Sequence, residues 1–439
     1  MIRRPPRSTL SPSSAASDVY KRQRLLLILP CNGGAFHGDY SLASGWKLIK
    51  KSLARFISEG IVDLAAIDCI NNAGIVLEGE EKYVVKGGDK YPSWEYFKKN
   101  PEEIDLLAKK VASQLPTLKS RYDYIVAYVN VKAYRLALKK ASNLSNVPVH
   151  FINLRFSPLS FRSLKNRSNL MESIRRFLNI RPEIYFCFPD LADAKVRAIR
   201  RLAEEDGLRI NVLISYLTIK GKPSTLHKLV TLRSRKLISR IMLDSGAYNL
   251  LNRSISLKSY RQLINEYANF IISHQKLFDR VVVPDVPNDP HKTEEYTKLF
   301  LKRIQGFNSE KLVFVAQGRS IRSYVKSIQR LKRLNVSPGV IGIGGIDHFK
   351  RRRDWGSIAK ILNYAASCFG KPVHLFGATR TILKRIGMFF DCCDMASWLY
   401  DIRFRRRSEL NALTSEQATY MAIKKTLFEN MSRTGMCSN

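Results

Sequence analysis

The sequence predicts an α/β protein: a C-terminal TIM (β/α)8 barrel preceded by a smaller parallel α/β domain. Three observations carry this reading. From Arg24 onward, short apolar runs alternate with segments of helical periodicity, the pattern of a parallel sheet covered by helices. In the second half those runs end abruptly in acids, amides or glycines: IMLDSGAYN, VVVPDVPND, LVFVAQGRS, VIGIGGID and VHLFGATR follow one another between Ile241 and Arg380. Parallel strands buried on both faces are apolar throughout, so polar residues crowded at one end need another cause. In a barrel that cause is the active site, built from the loops at the C-terminal strand ends. Finally, 439 residues exceed what one hydrophobic core serves, which argues for two domains.

The first 23 residues combine Arg, Ser and Pro without periodicity and lack the apolar stretch of a signal peptide. They are expected to be a non-native segment standing where the authentic N-terminus is missing. The first domain then spans 24–155: strands in RLLLILPC, VDLAAIDCI, YDYIVAYV and VHFINLR, with helices over 44–58, 101–119 and 131–142. The loop Pro30-Cys31-Asn32-Gly33-Gly34 is either a phosphate cradle or a plain strand-to-helix turn; it matches neither GxGxxG nor the P-loop. Residues 156–181, rich in Ser and Arg, read as a basic linker with a short helix, resting on a phosphate backbone or simply solvated. The barrel is expected over 182–402. It begins with IYFCF, a helix over 192–206 and INVLISYL, and continues with helices over 256–275, 290–305, 321–334, 355–367 and 379–387. About eight strands result, which favours closure over the alternative of an open sheet. A basic tail, 403–439, carries a helix over 415–430.

With 74 Lys and Arg against 37 Asp and Glu, the formal charge is +37. Such a surplus repels itself unless it meets a polyanion, and nucleic acid is the commonest one. No apolar stretch reaches the roughly 18 residues of a spanning helix, so a membrane is not expected as a partner. In the tail, Arg403, Arg405, Arg406 and Arg407 are candidates to grip phosphates, against the alternative of a solvated charge run. The seven cysteines are odd in number, scattered and mostly set in apolar runs, as in a reduced, cytoplasmic protein. No Cys/His spacing suits zinc, so neither a metal nor another cofactor is predicted.

The chemistry should lie with the acids. Asp244 ends a strand, Gly246 permits the turn that exposes it, and Tyr248 offers a ring face. Asp391 and Asp394 end another strand in FFDCCDMASW. Separated carboxylates converging on one barrel mouth suit glycosidic bond chemistry, with one acid attacking the anomeric carbon and the other managing the leaving group's proton.

These residues resemble the tRNA-guanine transglycosylase superfamily. Asp244-Ser245-Gly246-Ala247-Tyr248-Asn249 is similar to its DSGG(F/Y)Q motif, and the later motifs follow in the family's order: Asp285 in VVVPDVP, Gln317 in VAQG, Gly344-Gly345-Ile346, His374-Leu375-Phe376-Gly377 and Asp391-Cys392-Cys393-Asp394. The resemblance covers roughly 205–400. It implies a barrel of transglycosylase type, in which Asp394 is the covalent nucleophile toward C1′ of a guanosine and Asp244 the proton carrier. Tyr248 and Phe376 would sandwich the heterocycle, while Asp285, Gln317 and the backbone of Gly344 and Gly345 read its polar edge. The family's CxCxxC zinc site is absent, and Met395-Ala396-Ser397-Trp398 stands where tRNA enzymes carry Pro-Thr-Arg after the nucleophile. In this the chain is more similar to the branch that inserts 7-deazaguanines into DNA. The implied function is exchange of guanine in DNA for a free 7-deazaguanine (preQ0-like) base, in company with partner proteins of a modification system. The alternatives are an archaeal-type enzyme acting on tRNA, a noncatalytic nucleic-acid-binding relative, or an unrelated barrel hydrolase.

Overall fold

A computed structural model describes residues 23–30, 49–50, 53, 56–68, 74–77, 94–129, 132–152, 170–171, 173–175, 177–178, 182–246, 257–400, 402 and 413–431. The chain divides into two compact units, 1–180 and 181–439.

In the first unit, β1 (Leu25–Pro30), β2 (Val62–Asp68), β3 (Gly74–Leu77), β4 (Tyr124–Ala127) and β5 (His150–Phe151) form one sheet in the order β3-β2-β1-β4-β5. The central strand β1 runs parallel to β2 and β4, and β4 parallel to β5. The sheet is nevertheless not all parallel as expected: β3 returns antiparallel on β2, pairing Asp68 with Gly74 and Ala65 with Leu77. A run of only four residues, GIVL, is too short to announce itself by periodicity. Its outer edge is closed by a side chain, because Gln114 accepts from the Ile75 N–H (2.7 Å) and donates to the Ile75 carbonyl (3.1 Å). At Ile75 the two outward backbone groups are thus satisfied by a side chain instead of a further strand.

Alternate residues of β1 and β2 serve two cores. Leu26, Ile28, Ala65 and Ile67 pack with the helices Pro101–Arg121 and Lys132–Ser145. Leu25, Leu27, Leu29 and Leu64 pack on the opposite face with Ile49, Leu53 and Phe56. Leu170, Ile174 and Leu178, spaced four apart on one helical face, join that second core. The later part of the segment read as a basic linker is therefore part of the first unit's covering layer.

The second unit is a TIM-type barrel. β6 (Glu183–Phe188), β7 (Ile210–Ser215), β8 (Ile238–Asp244), β9 (Arg280–Val282), β10 (Leu312–Ala316), β11 (Val340–Ile343), β12 (Val373–Leu375) and β13 (Cys392–Met395) close on themselves, every pair parallel. The closing register runs from Cys392 opposite Glu183 to Met395 opposite Phe186, which removes the open-sheet alternative. Tyr185, Leu213, Met242, Val282, Val313 and Cys392 fill the inside, while their neighbours Ile184, Phe186, Ile214, Ile241 and Leu243 face the helical shell. The continuous apolar runs of the sequence follow directly from these two buried faces.

Two differences from expectation have local causes. INVLISYL is not one strand: it stops at Ser215, whose hydroxyl accepts from the Leu217 N–H and starts the helix Tyr216–Gly221, followed by a second helix, Ser224–Ser234. The helix Ser415–Met431 is not a free tail but packs on Asp193–Glu204, joined by Arg197–Glu416 and by Lys424 and Tyr420 on Asp206. Its Ile423 lies in the barrel core, so this helix completes the outer ring begun after β6. Among the described residues no helix is long and apolar enough to cross a membrane.

Candidate active site at the C-terminal barrel mouth

A cavity of about 1070 Å3 opens at the C-terminal ends of the barrel strands. Asp244 is the last residue of β8, Asp285 follows β9 and Gln317 follows β10; all three line it. So do Gly344 and Gly345 beyond β11, Phe376 beyond β12 and Asp394 within β13. The structure thus brings together seven predicted residues separated by up to 150 positions in sequence. Tyr248, Arg403, Arg405, Arg406 and Arg407 lie outside the described residues, as does most of the Pro30–Gly34 loop. Asp391 faces the strand ladder instead, where its carboxylate accepts from the Val373 N–H at 2.7 Å.

Asp394 is held asymmetrically. Its Oδ1 accepts the backbone N–H of Gly377 at 2.8 Å and lies 3.3 Å from Nε2 of the fully buried His374. Its Oδ2 meets only a thiol, Cys187 Sγ, at 3.2 Å, among the described residues. Burial, reinforced by the Asp394 charge, pushes the Cys187 thiol well up, so it remains S–H and acts as a weak donor. His374 Nδ1 in turn sits 3.2 Å from Cys392 Sγ. The tautomer with hydrogen on Nε2 lets the ring donate to Asp394 and accept from Cys392, one consistent chain.

Asp244 projects from the neighbouring side of the mouth, its Oδ2 accepting the Gly246 N–H at 2.9 Å. Gly246 has φ +84°, and a Cβ there would stand 2.7 Å from Ser215 Oγ, so the turn that presents Asp244 demands glycine. Burial pushes the Asp244 carboxyl up to about 6, and repulsion from Asp394 acts in the same sense.

Asp285 and Gln317 form a unit. Gln317 Nε2 donates to Asp285 Oδ2 at 2.6 Å, while its Oε1 accepts the Asn288 N–H at 3.1 Å, which fixes the amide orientation. Burial, then the Asp244 charge, pushes Asp285 up to about 7. The Gly344-Gly345 turn is shaped around the same amide. A Cβ on Gly344 would stand 2.4 Å from Gln317 Nε2, and one on Gly345, at φ +67°, 2.4 Å from Gln317 Oε1. Tyr324 fixes the turn from behind by donating to the Gly344 carbonyl at 2.5 Å. Inside β11, a Cβ on Gly342 would fall 2.5 Å from the Phe376 ring, so the glycine clears the space that ring occupies.

Sequence patterning did not assign roles to Cys187, His374 or Asn288. Cys187 shares the inward face of β6 with Tyr185, so period-two alternation in IYFCF was the signal available for it. His374 was the lone titratable group in an apolar strand. Lys350, Arg351 and Arg352, which line one side of the cavity, were likewise unassigned.

No family model matches the chain, and no curated protein is similar to it. Among solved structures it is similar to an aldolase from Coccidioides immitis assigned to fructose-1,6-bisphosphate, with 13% identity, coverage of 61% of this chain and 95% of that one, and a TM-score of 0.39. It is also similar to the YdjI aldolase from Escherichia coli K12, with 9% identity, the same coverages and a TM-score of 0.39. Similarity at that level says nothing about the chemistry of this cavity.

Proposed function

We propose that the chain is an enzyme, a glycosyltransferase of the guanine/7-deazaguanine type, which exchanges guanine in DNA for a free preQ0-like base through a covalent Asp394-nucleoside intermediate. The observation that carries the reading is the convergence of Asp394 and Asp244 on one cavity beside the Asp285–Gln317 unit and the Gly344-Gly345 turn. A planar purine has donors and acceptors along one edge, and this wall presents a carboxylate, an amide and exposed backbone together. Phe376 supplies an apolar face.

In this mechanism Asp394 Oδ2 attacks C1′ as the C1′–N9 bond breaks, and an ester links Asp394 to the sugar. Asp244 gives its proton to the departing guanine. The raised carboxyl suits that task, because a group ionising near 6 exchanges protons readily at neutral pH. The incoming base then returns a proton to Asp244 from its N9 and attacks C1′, which releases Asp394. Charge and atoms are restored, so no other reactant is required. A base within a duplex cannot reach such a cavity, so the target nucleotide must be flipped out or single-stranded.

DNA is favoured over tRNA because the position of the tRNA enzymes' arginine motif is filled by Met395-Ala396-Ser397-Trp398. Trp398 is fully buried against Phe186 and Phe188 and offers no cation at the mouth. Incubating the purified protein with labelled 7-deazaguanine and either DNA or tRNA tests the reading. Label in DNA is expected; label in tRNA alone transfers the activity to tRNA, and label in neither ends the enzymatic assignment.

A further inference from the structure

We infer that Arg351 and Arg352 form a rigid clamp for the phosphodiester backbone of a nucleic-acid strand whose base enters the cavity. Both arginines line the same cavity as Asp244 and Asp394. The cavity also carries four acids, Asp244, Asp285, Asp347 and Asp394, of which, among the described residues, only Asp347 is paired with a lysine, Lys350, so a polyanion approaching the mouth needs compensating charge there. Both are exposed, and among the described residues neither has a carboxylate within salt-bridge distance. Many other cations of this unit are engaged, as in Arg197–Glu416, Arg233–Asp279 and Arg240–Glu183.

What separates this pair from an ordinary solvated charge run is how it is held. On its N-terminal side Phe349 is anchored in the core, and Lys350 pairs with Asp347 and donates to the Gly377 carbonyl at 3.1 Å. On the C-terminal side Arg353 turns into the left-handed region at φ 54°, with its N–H on the Lys350 carbonyl (3.0 Å). Asp354 follows, its N–H on Phe349 O (3.0 Å) and its carboxylate capping the helix Trp355–Phe369. The backbone carrying the arginines is therefore fixed at both ends before any ligand arrives, which lowers the ordering cost of binding. Beside them His348, whose ring packs on Phe349, lines the same cavity.

The inference rests on the nucleic-acid part of the proposed function, not on the exchange chemistry, and a binding measurement separates the two. Fluorescence anisotropy of a labelled guanine-containing single-stranded DNA, and separately of tRNA, is followed with the full chain across a salt series. Replacing both arginines (R351A/R352A) should weaken binding equally for all sequences. It should also make the plot of log affinity against log salt shallower by roughly 1.4, at about 0.7 for each single-strand phosphate that is no longer neutralised. The charge-preserving R351K/R352K should restore most of the slope, which a mere folding defect in the alanine variant does not allow. A shallower slope with either nucleic acid supports the clamp and identifies the strand it holds. Equal slopes for wild type and alanine variant on both ligands, or no binding by the wild type to either, overturns it, whatever the base-incorporation assay gives.

Discussion

The two oxygens of Asp394 have different surroundings, and in the proposed mechanism that difference divides their work. Oδ1 takes a backbone N–H and faces an imidazole, whereas Oδ2 meets a thiol, the weakest donor of the three. In the proposed exchange an oxygen so lightly bonded would keep its lone pairs for the anomeric carbon, while its partner would fix the carboxylate plane. Asp394→Ala should abolish a denaturant-resistant protein–nucleic acid adduct and lower exchange on the order of 10^4-fold or more. An adduct that persists in this variant removes Asp394 from the nucleophile's role. Cys187→Ala should lower kcat by roughly two- to tenfold, with Cys187→Ser recovering most of it, since a net hydrogen bond is worth about 0.5–1.5 kcal/mol and a thiol is a weak donor. Equal kcat in wild type and alanine variant would show that the thiol does not position the nucleophile. The strand-end acids, taken with the family resemblance, pointed to Asp394 and Asp244; the asymmetry needs β6 and β13 side by side, a contact that spans 207 positions.

At the scale of elements, the motifs at the strand ends are turns built around one another. The Gly344-Gly345 turn lies against Gln317 so closely that neither position admits a Cβ without moving the amide that holds Asp285. Gly345→Ala adds a left-handed backbone cost of about 1–2 kcal/mol to that clash. A lower urea midpoint is therefore expected, together with a raised KM for the incoming base; an unchanged KM would separate the turn from base recognition. Trp398 joins the exit of β13 to Phe186 and Phe188 of β6, the seam that closes the barrel. Trp398→Ala should cost about 3–5 kcal/mol in equilibrium unfolding. Trp398→Phe should cost much less, because the indole N–H has no partner among the described residues and the ring area is largely kept. These turns were legible as glycine-rich strand ends, but the short antiparallel β3 and the break at Ser215 were not. One is too short for a period, and the other depends on a hydroxyl cap that interrupts an apolar run.

Across the whole molecule, the buried acids make stability depend on pH in a definite direction. Asp244 and Asp285 ionise near 6 and 7 in the folded chain, against 3.8 for a free side chain. Between roughly pH 4 and 7 the folded state holds more protons than the unfolded one, so raising pH through that window lowers stability. Urea midpoints at pH 5, 6 and 7.5 should therefore fall for the wild type and fall less for Asp285→Asn. Parallel trends in the two proteins would mean that Asp285 does not ionise late. At the same scale, basic composition marks 156–181 as a linker with a short helix and 403–439 as a helical tail. Leu170, Ile174, Leu178 and Ile423 nevertheless bury their faces in cores that composition does not reveal.

By itself the sequence pointed to the barrel and to the mouth where the proposed chemistry would lie, because strands buried on two faces must be apolar and cannot hide acids, amides and glycines except at their ends. Only the tertiary structure decided which of those groups act together: that Asp285 is bonded to Gln317, that Asp394 is held by Gly377, His374 and Cys187, and that Arg351 and Arg352 share their cavity. Hydrogen bonds and mutual burial between distant strands have no periodicity along the chain, and they arise only when closure of the barrel sets the strand ends side by side.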